Sequence, residues 1–225
     1  MLRNAFAVIC AIVLVCPATA WSQPDCDNGT LLANDDDSFE AAYGWEACPD
    51  ELVGWAECYD SEFICSMRLQ LTTLPGAFTN QPFDVYVWDK LPNGEFGTVM
   101  CVRNGVELGV PPAIWPEYSL HEITLECCVE GEHYIGYVVN WGSNNPGWYI
   151  MADEDGPGGC PRTLVPEGCG EPIGWQHPAD VDDPGGSALF PGARALGIRE
   201  IAETSCTTFP TPVVPGTWGS IKSLY

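Results

Sequence analysis

Basic residues are scarce in this chain of 225 residues, which carries 8 Lys and Arg against 31 Asp and Glu and a formal net charge of -23. Nucleic-acid binding depends on clustered Lys and Arg that neutralise phosphates, so this composition excludes a nucleic-acid partner. An anionic membrane surface would repel the chain for the same reason. Calcium, cationic surfaces and neutral polymers remain compatible with the charge, as does simple solubility in an extracellular medium.

Long apolar runs are absent beyond the N-terminus, so no transmembrane segment is predicted in the mature chain. The N-terminus has Arg3 as a positive region, an apolar run over 5–15 and an Ala-Thr-Ala cleavage motif at 18–20. This pattern is typical of a secretory signal peptide, and it is too short to span a bilayer. We therefore expect residues 1–20 to be removed and the protein to be secreted or held at the cell surface.

Sustained helical periodicity is also lacking, and 24 Gly with 20 Pro favour a turn-rich all-β protein. Alternation with a period of two predicts strands at 63–72 and 83–88. Further strands are predicted at 38–45, 98–103, 118–128, 133–140, 148–152 and 196–201. A shift of apolar phase between Leu120 and Ile123 indicates a bulge. Seven or eight short strands predict an all-β, disulfide-stabilised β-sandwich of jelly-roll type over residues 24–206.

The alternation assigns side chains to the two faces of the clearest strands. The predicted inner faces are Phe63, Cys65, Met67, Leu69 and Leu71 in one strand, and Phe83, Val85 and Val87 in the other. Tyr86 and Trp88 then lie on an outer face. Residues 156–191 are dominated by Gly, Pro and Asp, so we expect long loops there, pinned by Cys160 and Cys169.

Cysteine is plentiful: of 12 residues, Cys10 and Cys16 lie in the leader, and ten remain in the mature chain. An even number in an exported chain predicts a disulfide framework. The ten are Cys26, Cys48, Cys58, Cys65, Cys101, Cys127, Cys128, Cys160, Cys169 and Cys206. The neighbours Cys127 and Cys128 are expected to face opposite sides of a strand and to bond to Cys65 and Cys101. Proximity and chain closure suggest the pairs Cys48–Cys58, Cys160–Cys169 and Cys26–Cys206.

Carboxylates directly after a predicted strand suggest a calcium site. Asp153 and Asp155 stand at alternate positions before Gly156, an arrangement that supplies hard oxygen ligands to Ca²⁺. The acidic run at 35–37 is a second candidate. The competing interpretation is a solvated acidic turn, because neither run has the full EF-hand pattern. Zinc is disfavoured, since the cysteine spacings lack C-x₂-C.

Motifs for catalysis are absent from the sequence. His121, His133 and His177 stand at no short metal-ligand spacing, and there is no G-x-S-x-G elbow. Acidic residues are so numerous that none is singled out as half of a glycosidase pair. We therefore predict no catalytic residue and no enzyme activity, and keep a carboxylate-based glycoside hydrolase as the third hypothesis.

Tryptophans supply the second hypothesis, a carbohydrate-binding module. Trp88 lies on a predicted outer face, and Trp141 and Trp148 bracket a loop that contains Asn144. Aromatic platforms beside polar side chains suit sugar rings, which stack on Trp while their hydroxyls bind polar groups. The competing interpretation is that these rings fill the core.

The last residues, 207–225, form a Pro-rich spacer followed by GTWGSIKSLY. This tail resembles the W-G-x-I-K-x-L-Y segment of exported proteins from uncultured bacterial lineages, without their frequent final Arg. The body resembles secreted β-sandwich proteins with such tails, in the stretches 36–40, 84–89, 147–149 and 155–160. The resemblance implies fold, export and, by analogy with other sorting tails, attachment. The first hypothesis is thus a secreted, non-catalytic structural, adhesive or ligand-presenting module, with glycans or cell-surface components as partners.

Overall fold

The computed structural model describes residues 26–45, 51–142, 146–183 and 185–204. Strand dominates these ranges, which confirms the all-β class. The strands are β1 (Thr30–Leu32), β2 (Ala41–Tyr43), β3 (Leu52–Thr73), β4 (Phe83–Lys90), β5 (Phe96–Val106), β6 (Ala113–Ile114), β7 (Ser119–Asn140), β8 (Tyr149–Asp153), β9 (Arg162–Val165), β10 (Gly174–Gln176), β11 (Ala195–Leu196) and β12 (Ile198–Glu203). Across the described ranges, no helix has the length and apolar character needed to cross a membrane. The leader at 1–20 and the tail at 207–225 lie outside them.

Two strands of 22 residues, β3 and β7, form the centre of the sheet. They pair antiparallel from Leu52 opposite Asn140 to Leu71 opposite Ser119. The strands predicted at 118–128 and 133–140 are therefore parts of one strand, with Gly131 at a positive φ of 80° between them. A shift in pairing register close to this glycine accommodates the junction without ending the strand.

A bulge is present in β7, but its position differs from the prediction. Glu126 has a φ of 54°, and the pairing register shifts between Ile64 and Ser66 of the facing strand. Leu120 and Ile123 pair with β3 in one continuous register. Leu120 is 48 % exposed. The apolar residue on the solvent-facing side of β7 therefore gave the sequence the pattern of a bulge where the strand is regular.

The hydrogen-bonded strand order is β1-β12-β3-β7-β4-β5. β3 changes neighbours along its length, with β9 beside its start, β12 beside its middle and β8 at its end. Although β5 pairs with β4, Cys101 of β5 is bonded to Cys127 in the first half of β7. The sheet therefore curls until its halves pack against each other, and the main core fills the space between them.

Most of the predicted inner faces line this core. Met67, Leu69 and Leu71 lie in it as expected, as do Phe83, Val85 and Val87. Phe63 and Cys65 instead pack with Ile201 in a separate cluster, while Ile64 turns into the main core. The cause is a register shift beside β12, where β3 carries one extra residue and exchanges its faces.

Residues 156–191 are not loops throughout. They include β9 and β10, which pair with each other, and β9 pairs with the start of β3. The hairpin covers the outer side of the sheet, where Ala56, Trp88, Phe96, Tyr134 and Leu164 form a second buried cluster. The sheet is thus buried on both sides at this end.

Disulfides join segments that are distant in sequence, which confirms the framework but not most of the expected pairs. The bonds are Cys26–Cys65, Cys58–Cys160 and Cys101–Cys127, with Cα atoms 5.6, 5.7 and 6.2 Å apart. The expected pairs Cys48–Cys58, Cys160–Cys169 and Cys26–Cys206 are wrong, because Cys26 and Cys58 bond instead to Cys65 and Cys160, which the fold brings near from distant parts of the chain. Cys128 and Cys169 are also disulfide-bonded, and Cys48 and Cys206 lie outside the described residues.

The neighbours Cys127 and Cys128 do lie in different environments, as expected for opposite faces of a strand. Cys127 is part of the main core, while Cys128 packs on the cluster around Phe63. The bond from Cys127 to Cys101 matches the prediction. Cys65 bonds to Cys26 and is therefore not the partner of either neighbour.

Candidate functional site

The tryptophans expected to stack on sugars are buried. Trp88 is 3 %, Trp141 5 % and Trp148 1 % exposed. Trp141 and Trp148 pack edge to face with ring centroids 4.3 Å apart, and both belong to the main core. None of the three offers a ring face to a sugar, so their assignment to an exposed platform is wrong. Asn144 lies outside the described residues.

Alternation predicts that Trp88 lies on the outer face of β4, and the structure confirms that side of the strand. Its side chain is buried because the β9–β10 hairpin covers that face, with Trp175 of β10 at 5.3 Å between ring centroids. Phe96 contacts the same ring at 5.0 Å. The β9–β10 hairpin that covers Trp88 lies within the Gly- and Pro-rich region 156–191, and the composition of that region predicts loops rather than strands.

An acidic cluster forms where the sequence placed its calcium ligands. Carboxylate oxygens of Asp36, Asp153 and Asp155 all lie within 4.8 Å of one another. Asp153 ends β8, is fully buried, and accepts backbone N–H groups from Asp36 at 3.0 Å, Asp155 at 3.0 Å and Gly156 at 2.6 Å. The acidic run at 35–37 and the turn after β8 are two separate candidate sites in the sequence. The fold brings Asp36 of the first beside the carboxylates of the second.

The neighbours of this cluster decide its electrostatics. The charge of Glu40 raises the pKa of Asp155 above its ordinary value, and Asp36 and Asp153 act in the same direction. Hydrogen bonds from Ser38 lower the pKa of Asp36. Asp35 and Asp37 are not part of the group, because both pair with Arg199. A cation would relieve the repulsion, but hydrogen bonds from the backbone already satisfy much of Asp153.

The histidines are all engaged in the fold. His133 pairs with Glu200 inside the protein, and Nε2 of His121 lies 3.0 Å from the hydroxyl of Ser119. Nδ1 of His177 accepts the N–H of Ala179 and caps the 3₁₀ turn Pro178–Asp180. Burial lowers the pKa of both His121 and His177. Each histidine therefore has a structural partner.

A groove of about 1150 Å³ opens beside the β9–β10 hairpin. Trp175 lines it, half-buried, together with Ile173 and Gln176 from the hairpin, Arg162 from β9, and Asn93 and Glu95 from the turn before β5. We call this the Trp175 groove. Sequence reasoning missed it, because no periodic pattern linked these segments. The lone Trp175 between Gly174 and Gln176 was the signal available.

Stacked rings hold Trp175 in place. Its ring stacks on Phe96 with centroids 4.4 Å apart, and Phe96 stacks on Tyr134 at 4.2 Å. Gly54 leaves room for the edge of the indole, since a Cβ there would lie 3.1 Å from Cη2 of Trp175. The aromatic lining of the groove is therefore part of a rigid column that continues into the sheet.

Polar side chains around the groove are held by hydrogen bonds within the protein. Nδ2 of Asn93 donates to Glu95 at 2.8 Å, and Nε2 of Gln176 donates to the carbonyl of Ile173 at 2.8 Å. Arg162 donates to the carbonyl of Gly94 at 3.3 Å. Each amide or guanidinium nitrogen carries a second hydrogen, so the same groups keep donors for a ligand.

Comparison with known protein families, curated proteins and solved structures finds no match to this chain.

Proposed function

We propose that the chain is a secreted, non-catalytic structural module that presents its surface outside the cell, with its C-terminal segment as the element that sorts or attaches it. The observation that carries the proposal is the set of disulfides Cys26–Cys65, Cys58–Cys160 and Cys101–Cys127. Such bonds form and persist in oxidising compartments, and they are rare in the cytosol. The signal-peptide pattern of residues 1–20 supports the same location.

Two further features support a structural role. Many large aromatic side chains pack inside the fold, as in the contacts of Phe190 with Tyr43, Trp45 and Trp55. Several buried polar groups make internal hydrogen bonds, such as that from the Tyr59 hydroxyl to the carbonyl of Ile198. A fold whose aromatic and polar side chains mostly contact each other is rigid, which suits a durable extracellular structural module.

Deletion of residues 215–225 tests the attachment part of the proposal. We expect the truncated protein to appear in the culture medium, while the full chain stays with the cell. The matched control keeps the length and composition of the tail but scrambles its order, and we expect it to be released as well. Unchanged cell association of both variants would contradict a sorting role.

The non-catalytic part has its own test. Purified protein is incubated with neutral oligosaccharides, and new reducing ends are counted. We expect none above the buffer control. Hydrolysis that disappears when a groove carboxylate such as Glu95 is changed to Gln would contradict the proposal and support the glycoside hydrolase hypothesis.

A further inference from the structure

We propose that the Trp175 groove binds a neutral oligosaccharide, which stacks a sugar ring on Trp175. This goes beyond the structural role proposed above and does not depend on the tail. It also replaces Trp88, Trp141 and Trp148, which are buried, as the carbohydrate site. Four features of the Trp175 groove support binding of a neutral oligosaccharide: its shape, its aromatic lining, its polar side chains and its charge.

The shape fits an extended ligand. Pockets for small ligands usually have volumes of about 300–1,000 Å³, and the groove has about 1150 Å³ and is open to solvent. It is lined by segments of β9, β10 and the turn before β5. A chain of several sugar rings can lie in such a groove without the protein having to open.

The aromatic lining fits the apolar face of a pyranose ring. Trp175 is half-buried and backed by Phe96 at 4.4 Å, so its position is fixed before a ligand arrives. Exposed Ile173 extends the apolar surface beside it. A preorganised indole offers a large contact area with little loss of side-chain entropy on binding.

The polar side chains fit sugar hydroxyls. Asn93, Gln176 and Arg162 each make a hydrogen bond inside the protein that fixes the group at the groove. Planar amide and guanidinium groups donate two hydrogens from one nitrogen, and an amide oxygen accepts. This combination matches neighbouring hydroxyls, each of which donates and accepts.

The charge restricts the ligand to uncharged sugars. Among the residues that the structure describes, four carboxylates, Glu51, Glu95, Glu167 and Asp180, line the groove, and Arg162 is the one Lys or Arg there. The net charge of -23 adds to this field. Uronic-acid polymers and sulfated glycans are therefore repelled, because a like charge costs free energy at a site with few cations.

The test is titration of the folded full-length mature protein with cellohexaose, laminarihexaose, xylohexaose and mannohexaose, with hexagalacturonic acid as the anionic comparison. We expect one or more neutral hexasaccharides to bind and the anionic one not to bind. Trp175→Ala should weaken binding at least about tenfold, as expected for a central aromatic anchor. Gln176→Ala should weaken it by about threefold to tenfold, through one lost hydrogen bond.

Trp115→Ala is the matched control. Trp115 is 40 % exposed and follows β6, which pairs with the far end of β3 from the groove, so its removal should leave binding unchanged. If Trp175→Ala fails to fold, the test is made on the wild-type protein by NMR. The side-chain amide signals of Asn93 and Gln176 must then shift when sugar is added. Absence of binding to every neutral probe, unshifted amides, preference for the anionic probe, or equal loss in Trp115→Ala would overturn the inference.

Discussion

Nε2 of His133 lies 2.7 Å from a carboxylate oxygen of Glu200, and neither side chain is exposed to solvent. Nδ1 of His133 lies 2.9 Å from the carbonyl oxygen of Gly131, to which it donates. The hydroxyl of Ser61 donates to the other carboxylate oxygen of Glu200 at 2.6 Å. A protonated imidazole donates at both nitrogens and satisfies both acceptors, so the pair joins β7 to β12 most strongly when His133 is charged.

Stability should therefore depend on the protonation of His133. Burial acts to lower its pKa, but Glu200, the Gly131 carbonyl and Asp60 outweigh burial, and the pKa is raised above 6.5. A raised folded-state pKa means that the stabilisation is complete below pH 6.5 and is lost as the pH rises through the folded value. We expect urea midpoints to fall over this window. His133→Gln should flatten the dependence and cost about 3–5 kcal/mol, because it removes the cationic partner of the buried Glu200.

Glu57 should add to the same trend at lower pH. Burial raises its pKa from 4.5 to about 7, against hydrogen bonds from the N–H groups of Cys160 and Leu196. Its contribution is therefore complete below pH 4.5 and declines as the pH rises to about 7. Glu57→Gln should remove this decline and cost about 1–3 kcal/mol at low pH, because an amide N–H would face a backbone donor. Glu130→Gln, an exposed change on β7, should leave the urea unfolding profile as it is; an unaltered pH profile in Glu57→Gln would contradict the assignment.

The bond between Cys101 and Cys127 should carry part of the stability of the curled sheet. It links β5 to the first half of β7 across 26 residues, and Cys127 lies in the main core. The double change Cys101→Ala and Cys127→Ala should lower the free energy of unfolding by about 2–4 kcal/mol. Urea unfolding of both proteins measures this, and equal midpoints would show that the curl does not depend on the bond.

Calcium binding stays a prediction of the sequence, and the fold brings Asp36 of the second candidate run beside Asp153 and Asp155. We expect calcium to raise the melting temperature and a chelator to lower it, because a dication relieves the repulsion that raises the pKa of Asp155. Asp36→Asn should abolish the calcium effect, and Asp27→Asn, outside the cluster, should preserve it. A melting temperature that is the same with calcium and with chelator would exclude a structural ion.

Alternation foretold β4 and the second half of β3, and strands were predicted over most of β7, because one buried face leaves a period of two in the sequence. The first half of β3, residues 52–62, was not predicted. Alternation failed at Ile64 and Glu126, where extra residues exchange the faces and propensity gives no warning. It also failed for the surroundings of Trp88, since the period of two says which side a ring is on but not what covers that side. The Trp175 groove depends on the same long-range contacts, so the pattern of neighbouring residues did not reveal it.

The most direct test of an extracellular, disulfide-held module is mass spectrometry of the protein recovered from the producing cells, digested without reduction. We predict an N-terminal peptide that starts at Trp21, no free thiol among the ten mature cysteines, and linked peptides for Cys26–Cys65, Cys58–Cys160 and Cys101–Cys127. Protein that stays in the cytosol with its leader intact and its cysteines reduced would contradict the account.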